Sequence, residues 1–392
     1  MMFNFILKTS ITHRYIVLSL SLVIVVVGLL SYEHLIIDAV PDITNIQVQI
    51  NTEAQGYSPS EVEQRITLPI ELFLAGVPSL EYTRSLSRYG LSQVTAVFKE
   101  GTDIYFARQL IAQRIQESKD KLPSGINPSM SPIASGLGEI FMFTLENQVG
   151  TTQPRSLHEL RELQDWVVRP QLQTIPGVVE INSIGGASKQ IVVTPDLEKL
   201  VAFDLSIEEL SQAIANNNIN VGAGFIENNG EQFLIRVPAQ VENFDEINDI
   251  AISVHEGTPI YVRDVASVEI GAKLRTGAAT KDGKEVVLGT VMMLIGENGR
   301  DVSNKVKKKL KQIKQSLPKG VVVKPVYDRS TLVNLTMETV GKNLTEGALL
   351  VIVILFVLLG NLRAALITAC VIPLSMLVTI FGMTQGGCVA KI

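Results

Sequence analysis

The chain has 392 residues, of which 46% are hydrophobic and only 19% are charged. This length exceeds an ordinary single domain, and so few charges are unusual in a wholly soluble protein. The net charge of -5 at pH 7 is small, and basic and acidic residues are interspersed, so no nucleic-acid-binding surface is indicated. The two cysteines, Cys370 and Cys388, lie in or after the last apolar stretch, which excludes a disulfide framework from the middle of the chain.

The first apolar segment, residues 15–32, carries no charged side chain and is long enough to cross the hydrocarbon core of a membrane. A signal peptide has the same polarity, but its apolar region is usually shorter and ends in small residues, whereas residues 31–34 are Ser-Tyr-Glu-His. We therefore predict an uncleaved transmembrane helix. Residues 1–14 are predicted to lie along the cytoplasmic face as an amphipathic lead-in.

Residues 38–135 have the pattern of a first α+β subdomain. Alternating apolar and polar residues indicate strands, and Ser-Pro-Ser-Glu and Asp103 are typical helix starts. The predicted elements are a strand at 45–52, a helix from 58 that stops before Gly76, strands at 80–87 and 91–98, and a helix from 103 to a Leu-Pro-Ser-Gly end at 122–125. This order is that of a split βαβ (ferredoxin-like) unit.

A second unit of the same kind is predicted at 136–184 and 271–330, interrupted in its middle. Its predicted elements are a strand at 139–146, a helix at 156–173, strands at 178–183 and 285–295, a helix at 301–316 and a strand at 321–327. The helix endings LPSG and LPKG, at 122–125 and 317–320, are the trace of an internal repeat.

The interruption, residues 185–270, is predicted to form an inserted subdomain. It has a helix at 206–217, short strands and a glycine-rich hairpin at 222–230. We expect such an insert to make contacts with other proteins rather than to perform chemistry.

Two further apolar segments, 343–362 and 364–384, flank Arg363 and are predicted to form a second and a third transmembrane helix. Basic residues mark the cytoplasmic side of membrane proteins, and Lys8, Arg14 and Arg363 lie at the corresponding ends of the three segments. The large region between the first two helices is therefore expected outside the cytoplasm.

No motif of an enzyme stands out. There is no GxSxG sequence, and the four histidines are scattered without the spacing of metal ligands. The lysines between 305 and 314 surround an apolar stripe and are interpreted as the solvated face of a packed helix. We expect neither enzymatic activity nor a bound cofactor.

Candidate metal ligands are few. Methionine suits soft ions and carboxylates suit borderline divalent ions. The methionines of the outside region are Met130, Met142, Met292 and Met293, and the last two are interpreted as core residues of an apolar strand. Glu139 lies beside a glycine-rich turn at a strand start, and Asp165 lies in the helix predicted to pack beside that strand. On pattern alone, an ordinary solvated charge remains the alternative for both.

Many stretches of this chain carry a family resemblance. They include AVPDITN (39–45), EVEQRITLPIE (61–71), GTDIYFARQL (101–110), GLGEI (136–140), LQDWVVRPQL (163–172), IPGVVEINSIGG (175–186), VMMLIGENGRDV (291–302), YDRSTLV (327–333) and LLGNLRAALI (358–367). With these residues the chain resembles the resistance-nodulation-division permeases, and within them the heavy-metal efflux branch typified by cobalt-zinc-cadmium and copper-silver exporters.

The resemblance implies an α+β membrane protein of the bacterial inner membrane with two periplasmic porter subdomains and a docking subdomain formed by the insert. It also implies a homotrimer that works with a periplasmic adaptor protein and an outer-membrane channel. In divalent-metal members the glutamate of GLGE and an aspartate of the next helix belong to the metal path, which implies roles for Glu139 and Asp165. Zinc, cobalt, cadmium or nickel is then expected as the substrate rather than copper or silver.

The chain departs from the family pattern in two respects. With Glu346 placed at the membrane interface, none of the three apolar segments contains the ionisable group that proton-driven transport needs inside the membrane, and residues 385–392 diverge from the family sequence. We therefore expect a truncated N-terminal portion that cannot transport alone. A membrane-anchored scaffold that binds an adaptor is one alternative. A multidrug permease is another, but only 6% of the residues are aromatic.

Overall fold

The computed structural model describes residues 9–34, 37–38, 44–228, 230–237, 240–241, 243–255, 257–273, 275, 277–360, 363, 367, 370–385 and 390–391. The chain forms two compact units. The first comprises Met1–Pro154, Leu163–Ile184 and Val287–Ile392, and the second comprises Arg155–Glu162 and Gly185–Val286.

The strands are β1 (Ile37–Asp38), β2 (Gln47–Glu53), β3 (Leu80–Arg88), β4 (Leu91–Phe98), β5 (Ser129–Met130), β6 (Glu139–Asn147), β7 (Val178–Ile184), β8 (Lys189–Pro195), β9 (Val221–Asn228), β10 (Glu231–Val237), β11 (Ala251–His255), β12 (Thr258–Tyr261), β13 (Ala266–Ala272), β14 (Ala279–Lys281), β15 (Lys284–Met293), β16 (Val321–Asp328) and β17 (Ala390–Lys391).

The helices are α1 (Arg14–His34), α2 (Pro59–Val62, Glu63–Thr67 and Leu68–Leu74), α3 (Ile104–Ser118), α4 (Leu157–Leu163, Gln164–Val168 and Arg169–Gln173), α5 (Leu197–Ala202), α6 (Ile207–Asn216), α7 (Phe244–Asn248), α8 (Val262–Val265), α9 (Gly299–Ser316), α10 (Arg329–Leu359) and α11 (Val371–Gln385). The strands and helices for which the sequence predicted residue ranges between 45 and 327 are confirmed, with ends that differ by a few residues.

The first sheet has the strand order β3-β4-β2-β5. Because β4 is antiparallel to both β2 and β3, these two strands are parallel to each other with β4 between them, and α2 connects them. This is the predicted split βαβ topology. One face of the sheet is buried against α2 and α3, whose inward side chains include Val62, Ile66 and Ile111.

The second sheet repeats this order with β7-β15-β6-β16. Strands β6, β7, β15 and β16 correspond to β2, β3, β4 and β5, which confirms the predicted internal repeat. In the first sheet a two-residue turn, Tyr89-Gly90, joins the second and third strands, whereas in the second sheet residues 185–283 stand at that connection. A hairpin turn lies at the sheet edge, where a long insertion disturbs few contacts.

Both helices that follow a first strand contain a π-helical turn, which periodicity did not predict. In α2 the N–H of Leu68 donates to the carbonyl of Glu63, and in α4 the N–H of Arg169 donates to the carbonyl of Gln164, so each bond spans five residues. Proline comes next in both helices. Because proline lacks an N–H and clashes with the preceding turn, the extra residue accommodates it without ending the helix.

Two described helices are long and apolar enough to cross a membrane, with candidate spans Arg14–Tyr32 and Arg329–Leu358. The apolar helix α11 has only 15 residues. It covers most of the predicted third span, 364–384, whereas residues 364–366 and 368–369 lie outside the described residues. Val333 and Met337 at the start of α10 pack against Ile380 and Met383 at the end of α11.

The ends of the chain are described only in part. Of the predicted lead-in, residues 1–8 lie outside the described residues, as do 386–389 and 392 of the predicted tail. Strands β1 and β17 pair in parallel over two residues.

The helix that carries the predicted second span, 343–362, begins much earlier, at Arg329. The reason is that Asp328 ends β16 and also caps α10, so no loop separates them. Its carboxylate accepts hydrogen bonds from the Ser330 N–H at 2.9 Å and the Thr331 hydroxyl at 3.1 Å, and it forms an ion pair with Lys307. The helix ends at Gly360 in a left-handed conformation, which favours glycine.

The second unit has its own core beneath the antiparallel pair β8–β13. Ser206 and Glu209 form a capping box at the start of α6, as the sequence pattern favours. The buried residues of this core are Leu200, Leu210, Ile247, Ile250, Ile260, Val262, Val265 and Ala266. The predicted glycine-rich hairpin is present as β9–β10 and continues to Val237.

A glycine at the start of the insert offers a test of this packing. Gly185 has φ of 82°, and a Cβ there would lie 2.1 Å from the carbonyl oxygen of Val286. We expect Gly185→Ala to cost roughly 1–3 kcal/mol more than Gly224→Ala, because overpacking adds to the backbone strain. Gly224 has φ of 87° with no atom within 4 Å of such a Cβ, so it is the matched control. Calorimetric unfolding of the two variants measures the difference, and equal losses would contradict the packing.

The cap at Asp328 makes a pH-dependent prediction. Burial raises the pKa of this carboxyl, but hydrogen bonds from Lys307 and Ser330 and the charge of Lys307 outweigh it, so the pKa is lower than usual. The stability that the folded state gains is present above the ordinary pKa of about 3.9 and is lost as the pH falls through the lower folded value.

We expect Asp328→Asn to lower stability by about 1 kcal/mol at pH 7, because asparagine can still cap the helix but loses the charge that pairs with Lys307. Below the ordinary pKa the difference from the wild type should start to shrink, because the unfolded state then binds a proton that the folded state takes up only at its lower pKa. Thermal unfolding followed by the fluorescence of Trp166, the single tryptophan, reports on the subdomain built on the second sheet. A difference that stays constant between pH 7 and pH 3 would contradict the assignment.

Candidate metal site

The backbone around Glu139 is held from two helices. Arg329, the first residue of α10, donates from its guanidinium to the carbonyl of Leu137. Ser303 of α9 donates from its hydroxyl to the carbonyl of Ile140 at 3.2 Å. Carbonyl groups two residues before and one residue after Glu139 therefore have fixed partners, which limits how far this residue can move.

Glu139 is the first residue of β6, and its side chain is exposed. The residue before it, Gly138, is buried, and a Cβ there would lie 3.1 Å from the carbonyl oxygen of Met293. The glycine lets the turn approach β15 closely, which explains the glycine-rich sequence. Ile140, the next residue, is fully buried, so the side chain of Glu139 lies on the solvent side.

Glu139 belongs to a row of side chains that crosses three strands. In the register of the second sheet, Met292 of β15 lies opposite Glu139 on one side and opposite Glu180 of β7 on the other. The amide of Asn182 donates to the sulfur of Met292 at 3.3 Å. The row Glu139–Met292–Glu180 thus combines two carboxylates with a thioether.

Burial shows that this row lies on the open face of the sheet. Val291 and Ile181, which precede Met292 and follow Glu180, are fully buried. Because successive residues of a strand point to opposite faces, Met292 and Glu180 point away from the helices. Both are only half-buried.

The row offers ligands of two kinds. With about 4.8 Å between neighbouring strands, the outer two backbones lie roughly 10 Å apart, a span that two glutamate side chains can close around one ion. Carboxylate oxygens suit zinc and similar divalent ions, and a thioether adds a softer ligand. Among the described residues no group of three or more His, Cys, Asp or Glu side chains is arranged to hold a metal ion.

Asp165, the other predicted ligand, lies on the covered side of the sheet. Its carboxylate accepts a hydrogen bond from the Ser183 hydroxyl at 2.7 Å. Ser183 lies opposite Gly289, where a Cβ would lie 2.7 Å from the buried side chain of Gln164 in α4. The structure therefore separates Asp165 from Glu139, and the role of each as a metal ligand stays a prediction.

The predicted methionines do not share one surface of the protein. Met293 is 8% exposed and belongs to the core, as expected, but Met292 lies on the open face, so the core interpretation is wrong for it. Met142 lies opposite Thr290, next to the row, whereas Met130 belongs to the first sheet. Successive residues of a strand point to opposite faces of the sheet, which explains why two adjacent methionines differ.

Glu180 was missed by the sequence analysis. The sequence VVEINSI of β7 places Glu180 and Asn182 two residues apart with the apolar Ile181 between them. This alternation was the available sign that both polar side chains share one face. The lysines of α9, in contrast, lie as interpreted, since Val302, Val306, Leu310 and Ile313 form its buried side.

The two subdomains share one ferredoxin-like strand order, and the second runs directly into an apolar helix long enough to span a membrane, which defines a membrane-associated protein of duplicated α+β architecture. A family model described as the AcrB/AcrD/AcrF family matches residues 6–389, and the chain belongs to this family.

The relatives narrow this class. The chain is 60% identical over 382 residues to Protein HelA of Legionella pneumophila, covering 97% of this chain and 36% of that protein. It is 56% identical over 388 residues to the cobalt-zinc-cadmium resistance protein CzcA of Cupriavidus metallidurans, covering 98% and 36%. The crystal structure of a heavy metal efflux pump, in its crystal form II, matches with a TM-score of 0.90 and 34% identity, covering 98% of this chain and 38% of that one.

These matches confirm the predicted family and its heavy-metal efflux branch. The chain spans little more than a third of the length of these relatives. The family consists of inner-membrane permeases, which are transporters and not typical enzymes.

A binding measurement tests the row. We expect Glu139→Gln and Glu180→Gln each to weaken zinc binding to the purified chain about tenfold or more, because each removes one charged ligand. Asp165→Asn should change the affinity less than twofold, since its side chain lies on the other face. Isothermal titration with zinc provides the dissociation constants.

The matched control is Glu269→Gln, an exposed strand glutamate of the second unit, which should leave binding unchanged. Zinc binding that depends on Asp165 but not on Glu180 would contradict the assignment of the row.

Proposed function

We propose that this chain is the metal-handling, membrane-anchored portion of an inner-membrane permease that exports divalent heavy-metal cations. The observation that carries the proposal is the row Glu139–Met292–Glu180, in which two carboxylates flank a thioether on the open face of a sheet. The relatives support it, since one is named a cobalt-zinc-cadmium resistance protein and another a heavy metal efflux pump.

The ligand chemistry favours zinc, cobalt, cadmium or nickel as the substrate. Two carboxylates select against soft monovalent ions, which prefer thiolates and thioethers, while a single thioether is compatible with borderline divalent ions. A carboxylate site also releases its ion more readily than a thiolate site. This property suits a transporter, whose substrate must leave again.

The proposed partners are two further copies of this protein, a periplasmic adaptor and an outer-membrane channel. An exposed apolar hairpin supports contacts of this kind. Phe225 of β9 and Leu234 of β10 lie opposite each other in this hairpin, and they are 55% and 73% exposed. A contiguous apolar surface is typical of a protein interface. The hairpin belongs to the inserted segment, which we propose as the docking subdomain.

The proposed arrangement keeps the predicted boundaries. The porter subdomains are 38–135 and 136–184 with 271–330, the docking subdomain is 185–270, and all lie in the periplasm. The membrane helices are 15–32, 343–362 and 364–384. Proton-driven transport is part of the proposal, with the proton path outside the described residues.

Transport in everted membrane vesicles tests the function. We expect vesicles that contain the full-length permease, of which this chain is proposed to be a portion, to accumulate radioactive zinc when a proton gradient is imposed, and to lose this uptake with Glu139→Gln. That residues 1–392 bind zinc but do not transport it alone stays a prediction, which the same vesicles test.

The outcomes separate the two candidate functions. Zinc binding that requires Glu139 supports the permease. Association with an adaptor without any zinc binding would support the alternative, a membrane-anchored scaffold, and would refute a metal-handling role. Vesicles with the Glu269→Gln protein are the control for expression and insertion.

A further inference from the structure

The start of the membrane helix α10 is tied to the second sheet by more than the chain itself. Lys307 of α9 donates to the Ser330 hydroxyl at 2.8 Å and pairs with Asp328. Strand β16, which leads into α10, pairs with β6, so that Asp328 lies opposite Phe141. The first turn of α10 is therefore continuous with the sheet that carries the metal row.

The side chain of Arg329 connects the start of α10 to the turn before Glu139. Its side chain is almost completely buried, with 4% of the residue exposed. It lies beneath the first turn of α9, where a Cβ added at Gly299 would lie 3.5 Å from the Arg329 Cδ and 3.6 Å from Ile140. From there its guanidinium donates to the carbonyl of Leu137, two residues before Glu139.

The chemistry of this side chain suits a rigid connection. Burying a cation is costly unless its donors are satisfied, so a buried guanidinium holds its acceptors firmly. The planar group has five donors in a fixed arrangement, whereas a lysine ammonium has three on a flexible stem. A displacement of α10 along its axis would carry Arg329 with it and would pull on the peptide of Leu137.

We propose that Arg329 is a positioning residue that couples the membrane helix α10 to the carboxylate of Glu139. The inference rests on the proposed function, in which Glu139 binds the transported ion. Movement of α10 changes the position of Glu139 in the row and thereby the affinity for the ion. Because coupling is reciprocal, binding of the ion must also change the first turn of α10.

The test compares the full chain in lipid nanodiscs with its Arg329→Met and Arg329→Lys variants. We expect Arg329→Met to weaken zinc binding about tenfold, an effect of the size that supporting residues have on metal sites. The zinc affinity of Arg329→Lys should lie between those of the wild type and Arg329→Met, since lysine keeps the charge but not the planar donors. Arg300→Met, at an exposed arginine of the first turn of α9, is the control and should bind as the wild type does.

Two readouts distinguish positioning from a merely structural role. In the Glu139→Gln background, Arg329→Met should change the zinc affinity less than twofold. In the wild type, zinc should slow amide hydrogen exchange at 329–336 as well as at 137–141, and in Arg329→Met it should slow only the second segment. An equal loss of affinity in both backgrounds, or unchanged exchange at 329–336, would overturn the proposal.

Failure of the proposed function gives a different result. If Glu139→Gln leaves zinc binding unchanged, the metal role of Glu139 fails. The amide exchange rates without zinc still test whether Arg329 connects α10 to the turn before Glu139, because loss of the Arg329 contact should speed exchange at 137–141 several-fold. If Arg329→Met does not fold, Arg329→Lys supplies the same comparison.

Discussion

Successive residues of a β-strand point to opposite faces of the sheet, and in the second sheet the described helices cover only one of these faces. This constraint separates every candidate ligand of the protein. Glu139, Met292 and Glu180 belong to the open face, whereas Met293 and Ile181 belong to the core. Asp165 reaches the sheet from its covered side and is paired there with Ser183. The carboxylates of the row therefore keep access to water and ions, whereas the carboxylate of Asp165 lies among the groups between sheet and helix.

The duplicated fold explains where variation is tolerated. Each copy keeps the same strand order and the same proline-linked π-turn in its first helix. In the first copy the buried hydroxyl of Thr67, within that turn, is paired with Ser92 at 2.7 Å. The copies differ at the connection between the second and third strands, which lies at the edge of the sheet. There one copy has a two-residue turn and the other has a subdomain with its own core.

The apolar helix α10 starts close to the row Glu139–Met292–Glu180 because no loop separates β16 from α10. Asp328 serves as the last residue of the strand and as the cap of the helix, so strand pairing and helix capping stabilise the same residue. A flexible linker would let the helix move without consequence for the sheet. Here the buried side chain of Arg329 makes the turn before Glu139 part of the same assembly.

The sequence by itself determined the elements, their order, the internal repeat and the apolar helices, because hydrophobic periodicity, caps and turn residues act over a few neighbours. It also pointed to Glu139 through the glycines before it. The tertiary structure alone decided that Glu180 and Met292 are the neighbours of Glu139 and that Asp165 is not. These relations depend on strand register, on bulges and on which face the helices cover. Residues that are far apart in the chain set all three, so no local pattern contains them.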